Sequence, residues 1–141
     1  MIVPDVNLLV YAYHADDPNH EAAKRWWEEL VRGVETVGVP WSVSMGFVRL
    51  LSSPRVLVSP MSPSAAIEHV ESWFRFDHIN PISPGTDHLV HLRRSLDAAG
   101  GGAKLVPDAH IVALAMERRA TVHSNDSDFS RFPGIQWHNP L

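Results

Sequence analysis

Two hydrophobic periods alternate along this chain. Short apolar, β-favouring runs occur at Met1–Pro4, Thr36–Pro40, Phe76–Ile82 and Thr121–His123. Between them lie longer stretches with apolar residues recurring every three or four positions, the signature of helices with one buried face. These predict helices over Val6–Tyr13, from Asn19 as N-cap to about Val31, over Ser42–Leu51 and Ser64–Phe74, from the cap Ser83-Pro84-Gly85-Thr86 to about Ala99, and from Pro107 for about three turns. Strands that alternate with helices pair in parallel. The expected fold is therefore α/β, a single domain over residues 1–141. It holds a small parallel sheet of roughly four or five short strands flanked by helices.

The apolar faces can be read residue by residue. Ala22, Ala23, Trp26, Trp27, Leu30 and Val31 share one side of the second helix; the Trp pair is either core or an apolar edge open to a partner helix. Ile67, Val70, Trp73 and Phe74 are expected inward on the fourth, and Leu89, Val90, Leu92 and Leu96 on the fifth. Ile111, Leu114 and Ala115, with Val112 and Met116 beside them, give the last helix a broad face that belongs against the sheet. Gly100-Gly101-Gly102 is either a mobile rim or a plain connection.

Acids stand at the junctions of these elements. Asp5 closes the first strand, Asp108 opens the last helix, and Asp126 and Asp128 follow the last of the four runs. Any one of them serves as a cap or turn residue, which is the reading preferred for Asp77 and Asp87. Together they mean more, because a parallel sheet brings its strand ends to one edge. Carboxylates crowded there repel unless a cation binds. A hard divalent ion held by Asp5 and Asp108, with Asp126 or Asp128 orienting a water or a second ion, is the arrangement that phosphodiester hydrolysis uses. Ser124 and Asn125 are placed to fix these carboxylates and, with Arg49, to contact substrate. Arg49 is equally read as an exposed cation at a helix C-terminus. His110 is expected to point away along its helix, and His123 to be a strand residue.

Composition narrows the chemistry. A chain of 141 residues with 45% hydrophobic content makes one ordinary domain, and with no cysteine any metal must take oxygen or imidazole ligands. A net charge of -4 disfavours bulk electrostatic coating of nucleic acid while allowing attack on a short exposed RNA segment. The first residues enter a strand directly, without a leader or membrane span, so the expectation is a cytoplasmic protein with no membrane partner.

The motifs Ile2-Val3-Pro4-Asp5-Val6-Asn7, Pro107-Asp108-Ala109-His110 and Ser124-Asn125-Asp126-Ser127-Asp128-Phe129, with the ending from Phe132 to Leu141, resemble those of a PIN domain. More narrowly, they resemble the VapC toxins of bacterial toxin–antitoxin pairs. The resemblance implies a metal-dependent endoribonuclease with Asp5, Asp108, Asp126 and Asp128 as catalytic acids around magnesium or manganese. It also implies a cognate antitoxin that covers the acidic cleft, and a homodimer. One position departs from the family pattern: Gly46 stands three residues before Arg49, where a glutamate is usual. Two other functions remain open at this point, a non-catalytic PIN-like interaction module and a metal-dependent phosphohydrolase acting on small phosphate esters.

Overall fold

Strand β1 (Ile2–Pro4) and helix α1 (Val6–Tyr13) meet at Asp5 with nothing between them, so the sharp strand-to-helix turn depends on that one residue. The computed structural model describes residues 1–141. The chain continues through α2 (His20–Arg32), β2 (Val37–Pro40), α3 (Trp41–Leu51), α4 (Pro63–Trp73), β3 (Ile79–Ile82), α5 (His88–Ala99), α6 (Val106–Arg118), β4 (Thr121–His123) and β5 (Gln136–His138). All strand pairs are parallel, in the order β3-β2-β1-β4-β5. The register sets Ile2 opposite Val37 on one side and Thr121 on the other, and Pro4 opposite His123.

β1 holds the middle because it is buried on both faces, and Val3, Val37, Val39 and Val122 are sealed from solvent with it. Proline closes both β1 and β2, at the position where the ladder stops and a missing N–H costs least. α1 packs on both α2 and α3, α3 packs on α4, and α5 pairs with α6. Between the first four helices sits an aromatic cluster: Trp73 meets Phe47 edge-on at 4.6 Å between centroids and Trp27 at 5.4 Å, while its indole N–H donates to the Tyr13 hydroxyl at 2.8 Å. Trp26 and Trp27 are both buried, so the Trp pair is core and not an open edge.

Several sequence expectations shift. Ile67 is 45% exposed and Leu89 73%, with Val90 exposed beside it. α4 contacts α3 along Ala66, Val70 and Trp73, a narrow seam that leaves Ile67 to one side. α5 buries His88 and Ser95 against α6, so polar groups hold the place assigned to Leu89 and Val90. The third strand starts at Ile79, since Phe76 to His78 form a turn closed by the Ile79 N–H to Phe76 carbonyl bond. Asn19 makes no side-chain cap for α2; its own N–H donates to Asp17 instead. β5, which the periodicity did not mark, pairs with β4 through Val122 and Trp137. Gly100, at φ 60, ends α5 in the left-handed conformation that glycine adopts freely, which makes the glycine run a formed connection into α6. No helix is long and apolar enough to cross a membrane.

Candidate active site

The carboxyl-terminal edge of the sheet gathers the acids. Asp5 leaves β1 in extended conformation, and its Oδ1 accepts the Val6 N–H at 2.7 Å, capping α1. Its other oxygen, Oδ2, accepts from the Ser124 hydroxyl at 2.8 Å. Asp5 is thus both the cap and a member of the acid group, and it lies almost wholly buried. On the neighbouring strand Ser124 follows β4 directly. Its Oγ accepts the Asp126 N–H at 3.0 Å, and Asp126 Oδ1 in turn accepts the Asp128 N–H at 2.9 Å, winding the 3-10 turn Ser127–Arg131. Asp108 comes from the first turn of α6, where the helix dipole favours a negative charge.

Carboxylate oxygens of Asp108, Asp126 and Asp128 all lie within 4.8 Å of one another. Asp5 sits outside this trio, yet its charge and those of Asp126 and Asp128 are felt at Asp108. Burial first, and then those three neighbours, push the Asp108 carboxyl up to about 6, against a smaller opposing pull from Lys104. Burial likewise raises Asp5, aided weakly by Asp126 and opposed by the hydrogen bonds from Ser124 and Val6. The cation nearest to the trio is Lys104, whose Nζ is 3.9 Å from Asp128 Oδ2 and whose side chain is largely in solvent. One exposed amine does not neutralise this charge. Three clustered oxygen donors, no thiolate and uncompensated negative charge are the properties of a site that could hold a divalent cation.

A cleft of about 220 Å³ opens beside the trio, lined by Asp5, Asn7, Ser42, Asp108 and His110 among others. Asn7 and Ser42 were not singled out for chemistry. Asn7 closes the opening motif without having been given a role there, nothing in the local sequence marks Ser42, and the approach of α1 and α3 brings the two together. A larger cavity of about 350 Å³ lies at the far end of α6, lined by His91, Arg119 and Gln136, without any acid. The smaller cleft is the one that carries acids, Asp5 and Asp108.

The remaining site expectations divide. Ser124 fixes two of the acids as foreseen, but its hydroxyl is fully buried with both hydrogen bonds made, so it cannot also touch substrate. Asn125 is half-buried and its side chain makes no hydrogen bond. Arg49 stands exposed in the last turn of α3, without an ion pair. His123 is a strand residue whose Nδ1 accepts the Trp26 indole N–H at 3.0 Å; burial and the neighbouring His138 push it down to about 4. His110 departs from its expectation. It is among the residues that line the cleft, and its Nδ1 lies 2.9 Å from Nε2 of His88 on α5. Gly46 faces Val6: a Cβ there would lie 3.2 Å from the Val6 side chain, at the wall of the same cleft.

The PIN domain family model matches residues 2–135. Ribonuclease VapC33 of Mycobacterium tuberculosis is 36% identical over 141 residues, covering 100% of this chain and 99% of that protein. Ribonuclease VapC37 of the same organism is 37% identical over 140 residues, covering 99% of this chain and 97% of that one. Among solved structures, the VapBC2 complex of Rickettsia felis bound to a promoter DNA fragment superposes with a TM-score of 0.69 at 19% identity, over 99% of this chain and 98% of that one. Mycobacterium tuberculosis VapC20, described as a sarcin-ricin loop cleaving toxin, superposes with a TM-score of 0.70 at 19% identity, over 96% of this chain and 99% of its own. At that identity the two structures speak for the fold alone.

Proposed function

The chain belongs to the PIN-domain family, among the VapC ribonucleases, and from that premise we propose that it is a metal-dependent endoribonuclease and the toxin of a toxin–antitoxin pair. The observation that carries the reading is the convergence of Asp108, Asp126 and Asp128 above a buried Asp5 at the carboxyl edge of the sheet. A phosphodiester strand is itself anionic, and this edge would repel it without a cation between them. The site therefore requires metal for binding before it requires it for chemistry.

Asp108, Asp126 and Asp128 are the residues that would hold the ion, with Asp5 shaping the field beneath them. Magnesium or manganese suits the all-oxygen donor set, and when bound supplies a water of lowered pKa and charge neutralisation at the phosphorus. The protein's own contribution is placement. The Ser124 hydroxyl locks Asp5 and the Asp126 backbone, Asp126 locks Asp128, and the α6 N-terminus fixes Asp108. Arg49 and Asn125, neither held by a side-chain hydrogen bond or ion pair, are the side chains we assign to RNA contact.

The partner follows from the family: an antitoxin that lies over the acidic cleft and sets a basic side chain against it. Pairing of two toxin chains belongs to the same reading. The test is cleavage of total bacterial RNA by antitoxin-free protein in magnesium, in EDTA, and as Asp108→Asn. Discrete fragments that require both the ion and Asp108 are expected. Intact RNA under every condition, from folded protein, would overturn the assignment.

A further inference from the structure

Glu117, His88 and His110 form a chain of hydrogen bonds that runs through the α5–α6 interface and ends in the cleft. Glu117 Oε2 accepts the Gly85 N–H at 2.7 Å, and Oε1 lies 2.8 Å from His88 Nδ1. His88 Nε2 lies 2.9 Å from His110 Nδ1. The side chains of His88 and Glu117 are only 8% and 11% exposed, so this is a built arrangement and not a surface coincidence. A Cβ at Gly85 would collide with the Glu117 carboxylate, which shows how closely the backbone presses on it.

Hydrogen-bond logic fixes the protons along this chain. An ionised carboxylate only accepts, so His88 must carry its proton on Nδ1. When that is the only proton on the ring, its Nε2 is a lone pair, and His110 donates to it from Nδ1. That leaves His110 Nε2 as a bare acceptor on a ring that lines the cleft, with no protein donor to meet it.

We propose that His110 Nε2 accepts a hydrogen bond from a ribose 2′-hydroxyl at the cut site, so that Glu117, His88 and His110 make the cleft selective for RNA over DNA. The inference rests on the nuclease reading above. Phosphate oxygens and ring oxygens of a nucleic acid strand only accept, and they offer nothing to a bare nitrogen. The 2′-hydroxyl is the one sugar–backbone group that donates, and deoxyribose lacks it. The acids draw the backbone to this edge, which places sugars, not bases, nearest to His110. His88 and Glu117 are positioning residues that set which form of His110 meets the substrate.

The experiment uses the full chain with manganese and an RNA oligonucleotide spanning the cut mapped on total bacterial RNA, with single 2′-deoxy and 2′-fluoro replacements around that cut. In the wild type, one deoxy position should lower kcat/KM by roughly five- to tenfold, the worth of one hydrogen bond. His110→Ala should show that loss on the all-ribose strand and no further loss on the deoxy one. Glu117→Gln keeps its oxygen for Gly85 and turns an amide N–H toward His88 Nδ1, which reverses the protons and makes His110 Nε2 a donor. The penalty for 2′-fluoro at the same position should then shrink, a change that a purely structural role would not produce. A full deoxy penalty retained in His110→Ala would overturn the inference. So would loss of manganese affinity in His110→Ala equal to that in Asp108→Asn, since the imidazole would then be a metal ligand. Absence of any RNA cleavage by the wild type would instead sink the nuclease reading itself.

Discussion

The Ser124 hydroxyl donates to Asp5 Oδ2 at 2.8 Å across 119 residues of sequence, and its oxygen accepts the Asp126 N–H at 3.0 Å. One small buried side chain therefore joins the end of β1 to the end of β4 and sets two of the four acids relative to each other.

Removing that hydroxyl isolates the job. Ser124→Ala leaves Asp5 Oδ2 buried without its donor, which should cost about 1–3 kcal/mol of stability and push the Asp5 carboxyl still higher. Manganese affinity should fall with it. Chemical denaturation and metal titration of the same variant check both; an unchanged metal affinity would show that Asp126 holds its position without Ser124.

Asp108 gives a pH signature. Its folded value of about 6 lies above the ordinary 3.8, so below that ordinary value both states are protonated and the group contributes nothing. As pH rises from about 4 to 6 the unfolded chain releases this proton while the folded one keeps it, and stability falls through that window. Two units correspond to about 3 kcal/mol unscreened, reduced to about 1 kcal/mol for a group that is half in solvent. In EDTA, Asp108→Asn should therefore be more stable than wild type above pH 6 and equal to it near pH 4. Denaturation curves at several pH values decide it, and a variant less stable throughout would make Asp108 a structural cap.

Gly46 invites the opposite change. Gly46→Glu sets a new carboxylate at the Val6 wall of the cleft, where a Cβ needs Val6 to yield by a few tenths of an ångström. The helix gains about 1 kcal/mol by losing a glycine, which offsets the crowding. Manganese affinity should rise roughly three- to tenfold with an added carboxylate ligand. Calorimetric titration showing no gain would mean that the trio already satisfies the ion.

Away from the site, Arg119 ends α6 at φ 52, ψ 41, the left-handed region, with its side chain in solvent. Arg119→Gly should raise stability by about 0.5–1 kcal/mol and leave RNA cleavage unchanged. Thermal melts and the total-RNA assay check the two halves separately.

Much of this was legible in the chain because the informative residues sit at junctions. Asp5, Asp108 and Asp126 each end or begin an element, and the parallel sheet that the alternating periods predict is enough to bring junctions together. What stayed hidden depends on how helices approach one another. Leu89 reads as core by spacing alone, and only the packing of α5 on α6 shows that His88 holds that seam while Leu89 faces water. His110 was misjudged for the same reason: its direction is set by a partner 22 residues away that no local pattern announces. β5 was missed because a strand of three residues, with Gln136 and His138 exposed and only Trp137 partly buried, carries too little periodicity to register.

The strand made first occupies the middle of the sheet, with β2 and β3 on one side and β4 and β5 on the other. On a ribosome, the early half can pair as it emerges, but β1 keeps an open edge until residues 121–138 have been synthesised. Until then Asp5 has no Ser124, and Asp126 and Asp128 do not exist. A chain that stops short of residue 126 therefore lacks two of the four acids, and it is expected to leave RNA intact however well its first three strands have paired.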